Sequence, residues 1–218
     1  MTLLALACPH CATALDVVSE RQVFVCTSCE RTLSPRLDGR GFLEVPRQLV
    51  RPALRPAPGA RIVLLPVWAV DVSTEDFGPV GSALPSVVRL PAVGVGRLAT
   101  LLQFARNLTR APAQPVAWDA VRVSREPAEV TAEDAFVLAE TVVLRHLEHW
   151  PGDDALESLE IPLEAARLLD WPCAVRGSEM IDLVAGLSVH RSLVDDVVLT
   201  DRTAELTPAI EALEVDPA

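Results

Sequence analysis

The stretch Cys8-Pro9-His10-Cys11, followed fourteen residues later by Cys26-Thr27-Ser28-Cys29, decides how the first fifth of this 218-residue chain folds. Two Cys-x-x-Cys pairs at this separation can bring four thiolates to the corners of a tetrahedron, a geometry that a zinc ion accepts without strain. We therefore predict that Cys8, Cys11, Cys26 and Cys29 bind one structural Zn²⁺ ion. His10 lies between two of these ligands and is predicted to face solvent.

The two cysteine pairs and the short apolar segments beside them resemble zinc-ribbon modules, in which two cysteine knuckles lie on adjoining β-hairpins. The resemblance covers about residues 6–45 and implies a small β-sheet folded around a structural metal. Zinc ribbons typically carry glycine directly after the second cysteine of each knuckle, because that position often requires a positive φ angle. Ala12 and Glu30 occupy these positions here, which predicts slightly strained knuckles.

Other uses of the four cysteines compete with a zinc site. Iron sites of the rubredoxin family separate the pairs further and pack aromatic residues around the metal, whereas only Phe24 and Phe42 are available here. The pairs could instead form disulfides, or each could be a redox-active Cys-x-x-Cys. A thioredoxin-type motif needs a strand followed by a helix, a context that the strand predicted at Val23–Val25 does not offer.

A proline-rich segment follows the cysteine region. Residues 46–60 contain four prolines and three arginines, a composition that predicts an extended spacer. The alternative is that Leu49, Val50 and Leu54 dock this segment onto the rest of the chain. We predict three parts: a zinc ribbon at 1–45, a Pro/Arg-rich tether at 46–60 and an acidic domain at 61–218.

The body of the chain is predicted to be a mixed α/β domain. Arg61–Val72 contains a continuous apolar run, which indicates a strand buried on both faces. The clearest helix is predicted from Ala132 to about His149, with Thr131 as its N-cap. Strands and helices do not alternate regularly, so an α+β fold is favoured over a doubly wound sheet. Ala60–Pro66 resembles Ala166–Pro172, which raises the possibility of a duplicated ββ unit.

The charged residues are distributed unequally along the chain. Residues 1–61 hold eight arginines and five acidic residues, whereas the remainder holds eleven arginines and twenty-five acidic residues. Because an acidic surface repels nucleic acid, any contact with nucleic acid is expected in the first part. The candidate contact residues there, for nucleic acid or for an acidic protein face, are Arg31, Arg36, Arg40, Arg47, Arg51 and Arg55.

A second metal site is a further hypothesis. His146 and His149 are spaced one helical turn apart near the end of the predicted helix, so both imidazoles could bind one ion. The competing interpretation, which we favour, is that histidines are common at helix C-termini because their protonated form suits the helix dipole.

These observations predict a non-catalytic interaction or assembly subunit of a larger bacterial complex. The basic residues are all arginine, a bias typical of GC-rich bacterial genomes, and the mean hydropathy of +0.30 favours a covered surface and hence a protein partner or self-association. Paired reduced cysteines, the lack of a signal peptide and the lack of a long apolar run predict a cytoplasmic protein with no membrane span. The alternatives are a nucleic-acid-binding or transcription-associated factor acting through the ribbon and tether, and an enzyme with an unrecognised site in the body.

Overall fold

The structure, a computed structural model, describes residues 6–15, 22–36, 41–73, 84–93, 98–113, 115–116, 127–147, 163–190 and 199–212. These residues form ten strands and three helices, so the fold is a mixed α+β fold. The elements are, in chain order, β1 (Phe24–Val25), β2 (Thr32–Pro35), β3 (Phe42–Glu44), β4 (Arg47–Val50), β5 (Arg61–Val72), β6 (Val87–Pro91), α1 (Leu98–Arg110), β7 (Pro115–Val116), α2 (Ala132–Leu147), β8 (Leu163–Arg176), β9 (Glu179–Asp182), β10 (Ser188–His190) and α3 (Thr203–Ala212).

The predicted small N-terminal sheet is present. Strands β1, β2 and β3 pair antiparallel in that order, with Leu33 of β2 opposite Phe24 on one side and opposite Glu44 on the other. A separate short hairpin precedes them, because Ala7 and Ala14 form an antiparallel bridge. We call the described residues from 6 to 45 the cysteine lobe.

A larger sheet forms the centre of the body around strands β5 and β8. These two strands pair antiparallel from Arg61 opposite Val175 to Val72 opposite Leu163, with one irregularity near the end. Every residue from 62 to 70 is buried, as the apolar run of β5 predicts. The other edge of β8 is shared, since β4 pairs with residues 168–170 and β9 with residues 173–176.

The segment predicted as a tether is joined to the body at two described places. Strand β4 pairs parallel with β8, and its Leu49 and Val50 are buried. Further along, the N–H groups of Ala53 and Leu54 both donate to the carbonyl of Leu183, at 2.8 and 2.9 Å. Of the two predicted arrangements, the structure therefore shows docking, because a strand can satisfy the backbone groups of 47–50 that an isolated spacer leaves to water.

The two similar segments noted in the sequence are direct neighbours in the sheet. Leu65 lies opposite Trp171, Leu64 opposite Pro172 and Pro66 opposite Asp170. This register relates Ala60–Pro66 to Ala166–Pro172 by an approximate two-fold rotation about the Leu65–Trp171 pair. The next strand along the chain also pairs at equivalent places, β6 with 67–71 and β9 with 173–176. Duplication of a ββ unit stays a prediction, and the pairing agrees with it.

Helix α2 begins where the sequence predicts. The Thr131 hydroxyl accepts the N–H of Asp134 at 3.0 Å and donates to the Asp134 carboxylate at 2.7 Å, so it caps the first turn. The helix packs over the face of the large sheet that carries Trp68. The indole N–H of Trp68 donates to the carbonyl of Val130 at 2.9 Å, which fixes the segment leading into the helix.

The cysteine lobe and the body share one apolar core. Val23, just before β1, and Val45, just after β3, are 0 and 4 % exposed and belong to the same cluster as Trp68. The Val23 N–H also donates to the carbonyl of Ala128 at 2.9 Å. The lobe is therefore held on the body at both ends of its sheet.

Candidate metal centre

The four cysteines lie on two knuckles of matching geometry. In the first, the N–H of Ala12 donates to the Cys8 carbonyl at 2.9 Å, and in the second the N–H of Glu30 donates to the Cys26 carbonyl at 2.8 Å. The N–H of Cys8 donates to Thr13, and that of Cys26 donates to the residue at the equivalent position. These bonds close each Cys-x-x-Cys into a tight turn.

The residue after each knuckle has the backbone conformation that the resemblance to zinc ribbons implied. Ala12 has φ 58° and Glu30 has φ 59°, and they are the non-glycine residues with positive φ in the described part of the chain. Both lie in the left-handed region, where a Cβ atom is unfavourable. Both positions nevertheless adopt this unfavourable conformation, as expected when the turn is needed to orient the Sγ atoms.

The sulfur atoms form one compact group. The Sγ atoms of Cys8, Cys11, Cys26 and Cys29 all lie within 4.8 Å of one another, and no other group of three or more metal-binding side chains occurs among the described residues. The Sγ separations are 3.6 Å for Cys8–Cys29 and 3.4 Å for Cys11–Cys26. A bond length of about 2.3 Å from zinc to sulfur gives a tetrahedron with edges of about 3.8 Å. The four cysteines therefore fit a metal ion.

The alternative of disulfide bonds does not match this arrangement. All five cysteines of the chain are free, and a disulfide would need sulfur atoms about 2.05 Å apart. The four Sγ atoms also form one group that spans both knuckles, unlike two separate thioredoxin-type redox pairs. Cys173, the fifth cysteine, is buried in β8, where desolvation raises the pKa of its thiol.

Neighbouring backbone and side-chain groups, together with the other sulfurs, shift the pKa values of two of the thiols. Hydrogen bonds from the side chain and backbone of Thr13 lower the pKa of Cys11 to about 6. The backbone N–H of Arg31 lowers the pKa of Cys29, but desolvation and the neighbouring thiols outweigh it and raise this pKa to about 12. Four thiolates so close together need a cation to offset their repulsion, and a bound divalent ion favours the thiolate form of each.

The cluster is partly covered by apolar side chains. Cys8 and Cys26 are buried together with Leu15, Phe24 and Leu33. Phe24 and Phe42 meet edge to face, with ring centroids 6.1 Å apart. The first cysteine of each knuckle thus faces the small core, and the second lies nearer the surface.

A charged contact joins the two knuckles to the third strand. Glu44 of β3 accepts hydrogen bonds from Arg31 through both carboxylate oxygens and lies 3.0 Å from Nε2 of His10. The Arg31 guanidinium, with a smaller contribution from His10, lowers the pKa of Glu44. His10 is 40 % exposed in its side chain, so it faces solvent as predicted but also contacts Glu44. Glu44 was missed in the sequence, because nothing local links it to residues thirteen and thirty-four positions earlier.

The six candidate arginines do not form one exposed surface. Arg47 is 1 % exposed in its side chain and binds Asp170 through Nε and Nη2. Its guanidinium is thus not available to a partner, because the parallel register sets Leu49 opposite Asp170 and so brings Arg47 and Asp170 to the same face of the sheet. Arg31 is engaged with Glu44. Arg31 remains exposed despite this ion pair, as do Arg36, Arg51 and Arg55, whereas Arg40 lies outside the described residues.

The predicted second metal site falls at the edge of what the structure describes. His146 belongs to the last turn of α2, but the position of its side chain is not described, and His149 lies outside the described residues. The His146/His149 hypothesis therefore stays a prediction.

Comparisons with protein-family models, with curated proteins and with solved structures found no match to this chain. None of the helices in the described ranges is long and apolar enough to cross a membrane. The arguments about function therefore rest on the geometry above.

Proposed function

We propose that the protein is a non-catalytic interaction or assembly subunit whose cysteine lobe is a zinc ribbon. The single observation that carries this proposal is the group of four Sγ atoms lying within 4.8 Å of one another. Zinc suits this donor set because it prefers four soft ligands in a tetrahedron and has no redox chemistry of its own. Free thiols also favour a reducing compartment, and a cytoplasmic location forms part of the proposal.

A four-sulfur site favours a structural role for the ion over a catalytic one. Catalytic zinc keeps one ligand position open for water or substrate, whereas four protein thiolates occupy all four. The ion would instead supply folding free energy to a lobe whose own apolar core is small. That core comprises five buried residues, two of which are cysteines.

The distribution of exposed apolar side chains supports a protein partner. Leu6, Leu43 and Leu54 are 38, 40 and 44 % exposed and lie in the cysteine lobe or in the segment directly after it. Among the described residues, Val137 on α2 is the remaining large apolar side chain with such exposure. Three of the four large apolar side chains that are exposed in the described part of the chain thus belong to residues 6–54, and exposed apolar surface of this kind favours a covering partner.

The alternative of nucleic-acid binding has less support from the described arginines. Arg47 is buried against Asp170 and Arg31 is bound to Glu44, so two of the six predicted contacts already have carboxylate partners. Binding to phosphates requires exposed cations in proportion to the phosphates neutralised. We therefore place protein assembly first and keep binding to nucleic acid as the competing function.

The metal assignment is tested by measuring metal content in three forms of the full chain. Wild-type protein is expected to contain one zinc per chain, and Cys8→Ser is expected to lose it. Cys173→Ser is the matched control, because Cys173 is also a buried thiol but lies in β8, away from the lobe. Retention of full zinc by Cys8→Ser, or iron in place of zinc, would contradict the assignment.

The assembly proposal is tested with two variants that each remove one exposed apolar side chain. Leu43→Ser is expected to reduce retention of the protein in its native complex, as measured by size-exclusion chromatography of cell extract. Val137→Ser on α2 should leave that retention unchanged. If neither variant changes the elution, and if binding to labelled DNA or RNA falls steeply with salt and with Arg36→Glu, the nucleic-acid function replaces the assembly function.

A further inference from the structure

We propose that metal binding in the cysteine lobe holds Ser34 in place as a cap for the first turn of α2. Loss of the metal would then remove this cap and expose part of the core of the body. The inference rests on the proposed metal site but goes beyond it. Its basis is a hydrogen bond between two residues 98 positions apart: the N–H of Ala132 donates to Oγ of Ser34 at 3.2 Å. Ser34 is 1 % exposed and Ala132 is also 1 % exposed, so water does not replace this bond in the folded state.

Two acceptors of different origin serve the start of α2. Thr131 belongs to the body and accepts the N–H of Asp134 at 3.0 Å. Ser34 belongs to β2 of the cysteine lobe and accepts the N–H of Ala132. The first N–H groups of a helix have no partner inside the helix, so each needs such an acceptor when it is buried. The Thr131 hydroxyl is local and remains in place after any change in the lobe, whereas the position of the Ser34 hydroxyl depends on where β2 lies.

The metal ligands determine where β2 lies. Cys26 and Cys29 form the turn between β1 and β2, and Ser34 follows Cys29 by five residues on the second strand. The strands of this small sheet are two to four residues long, so few backbone bonds hold the sheet together without the ion. A lobe of this size usually needs a metal or a disulfide to remain folded. Removal of the ion should therefore release Ser34 from α2.

Release of the lobe would also open the shared core. Val23 and Val45 cover the cluster that contains Trp68 and Ala132, and all four are buried. The Trp68 indole N–H donates to the carbonyl of Val130, two residues before the start of α2. The metal-free chain would therefore expose an apolar surface beside a helix end that has lost the Ser34 cap and kept the Thr131 cap, whereas the metal-bound chain hides this surface.

The test is hydrogen exchange of individual amides in the full-length protein, measured by NMR with zinc bound and after removal by a chelator. The Ala132 amide is expected to exchange about fivefold faster or more without zinc, the factor that corresponds to loss of about one hydrogen bond. The Asp134 amide, which Thr131 caps, is expected to change less. Equal acceleration of the two amides, or no acceleration of Ala132, would overturn the proposal.

Two variants separate the two caps. Ser34→Ala should speed exchange at Ala132 in the zinc-bound protein and remove most of the further effect of the chelator. Thr131→Ala should speed exchange at Asp134 and leave the zinc dependence at Ala132 intact. If Ser34→Ala does not fold, the Trp68 indole resonance of the wild-type protein serves instead. That resonance is expected to shift on zinc removal, and an unchanged resonance counts against the proposal.

Failure of this inference can be told apart from failure of the metal site. If the purified chain binds no zinc, the metal assignment fails and the capping proposal fails with it. If one zinc binds and exchange at Ala132 is independent of it, the metal assignment stands and the capping proposal alone is wrong.

Discussion

Replacement of Ala12 and Glu30 by glycine should make the metal-bound protein more stable, although glycine usually weakens a fold. Both residues have φ near +60°, and holding a non-glycine residue there costs about 1–2 kcal/mol. Glycine removes this strain but gains freedom in the unfolded chain, worth about 0.5–1 kcal/mol. The net gain is about 0.5–1 kcal/mol per position, or about 1–2 kcal/mol for the double variant if the two sites are independent.

The assay is thermal unfolding of the full chain in excess zinc, followed by circular dichroism. For a chain of this size a change of 1 kcal/mol shifts the melting temperature by about 2–4 °C, so the double variant should melt roughly 2–8 °C higher. Ala14→Gly is the matched control: Ala14 is also exposed and lies two residues further on, but its φ is not positive. It should lower the melting temperature. If Ala12→Gly destabilises the protein as much as Ala14→Gly does, the backbone argument is wrong.

Three further predictions concern the body. Asp182→Ala should lower the free energy of unfolding by about 3 kcal/mol or more, since the buried Asp182 carboxylate accepts one indole N–H and three backbone N–H groups. Denaturant titration measures this free energy, and a loss below about 1 kcal/mol would refute the prediction. Arg47→Met should lower the free energy of unfolding by about 3–5 kcal/mol, because Asp170 is left buried and unpaired. Adding Asp170→Leu should restore much of this stability, and a double-mutant cycle tests the expectation. Hydrogen bonds from Thr203 lower the pKa of Asp201, so the contribution of this carboxylate to stability is complete above the ordinary pKa of an aspartate and is lost as the pH falls through the lowered value. Asp201→Asn should therefore make the melting temperature less dependent on acid pH, and an unchanged dependence would count against this explanation.

Local sequence was sufficient where the interaction itself is local. The cap of α2 depends on Thr131 and Asp134, three residues apart, and the structure shows Thr131 in its predicted role as N-cap. The nine-residue buried run within β5 follows from its unbroken apolar composition. In both cases the signal lies within one short segment, as a pair of capping residues or as an apolar run, so pattern and propensity are enough.

The contacts that join the cysteine lobe to the body were not predictable in this way. Arg47 looked like an exposed cation in a proline-rich spacer, but it is buried against Asp170, which is 123 positions away. Ser34 had no feature that distinguished it from an ordinary strand residue, yet it accepts a hydrogen bond from the first residue of α2. Single-sequence patterns carry little information about such distant pairs, because the pairing is set by which strand becomes the neighbour of which.

The sequence by itself determined which four cysteines could bind a metal, because each Cys-x-x-Cys lies within one turn, and the resemblance to zinc ribbons indicated the two positions of positive φ. Only the tertiary structure decided that the lobe is docked and not tethered. The physical reason is that β4 gains backbone hydrogen bonds and an ion pair by adding to β8, and those partners come together only after the large sheet has formed.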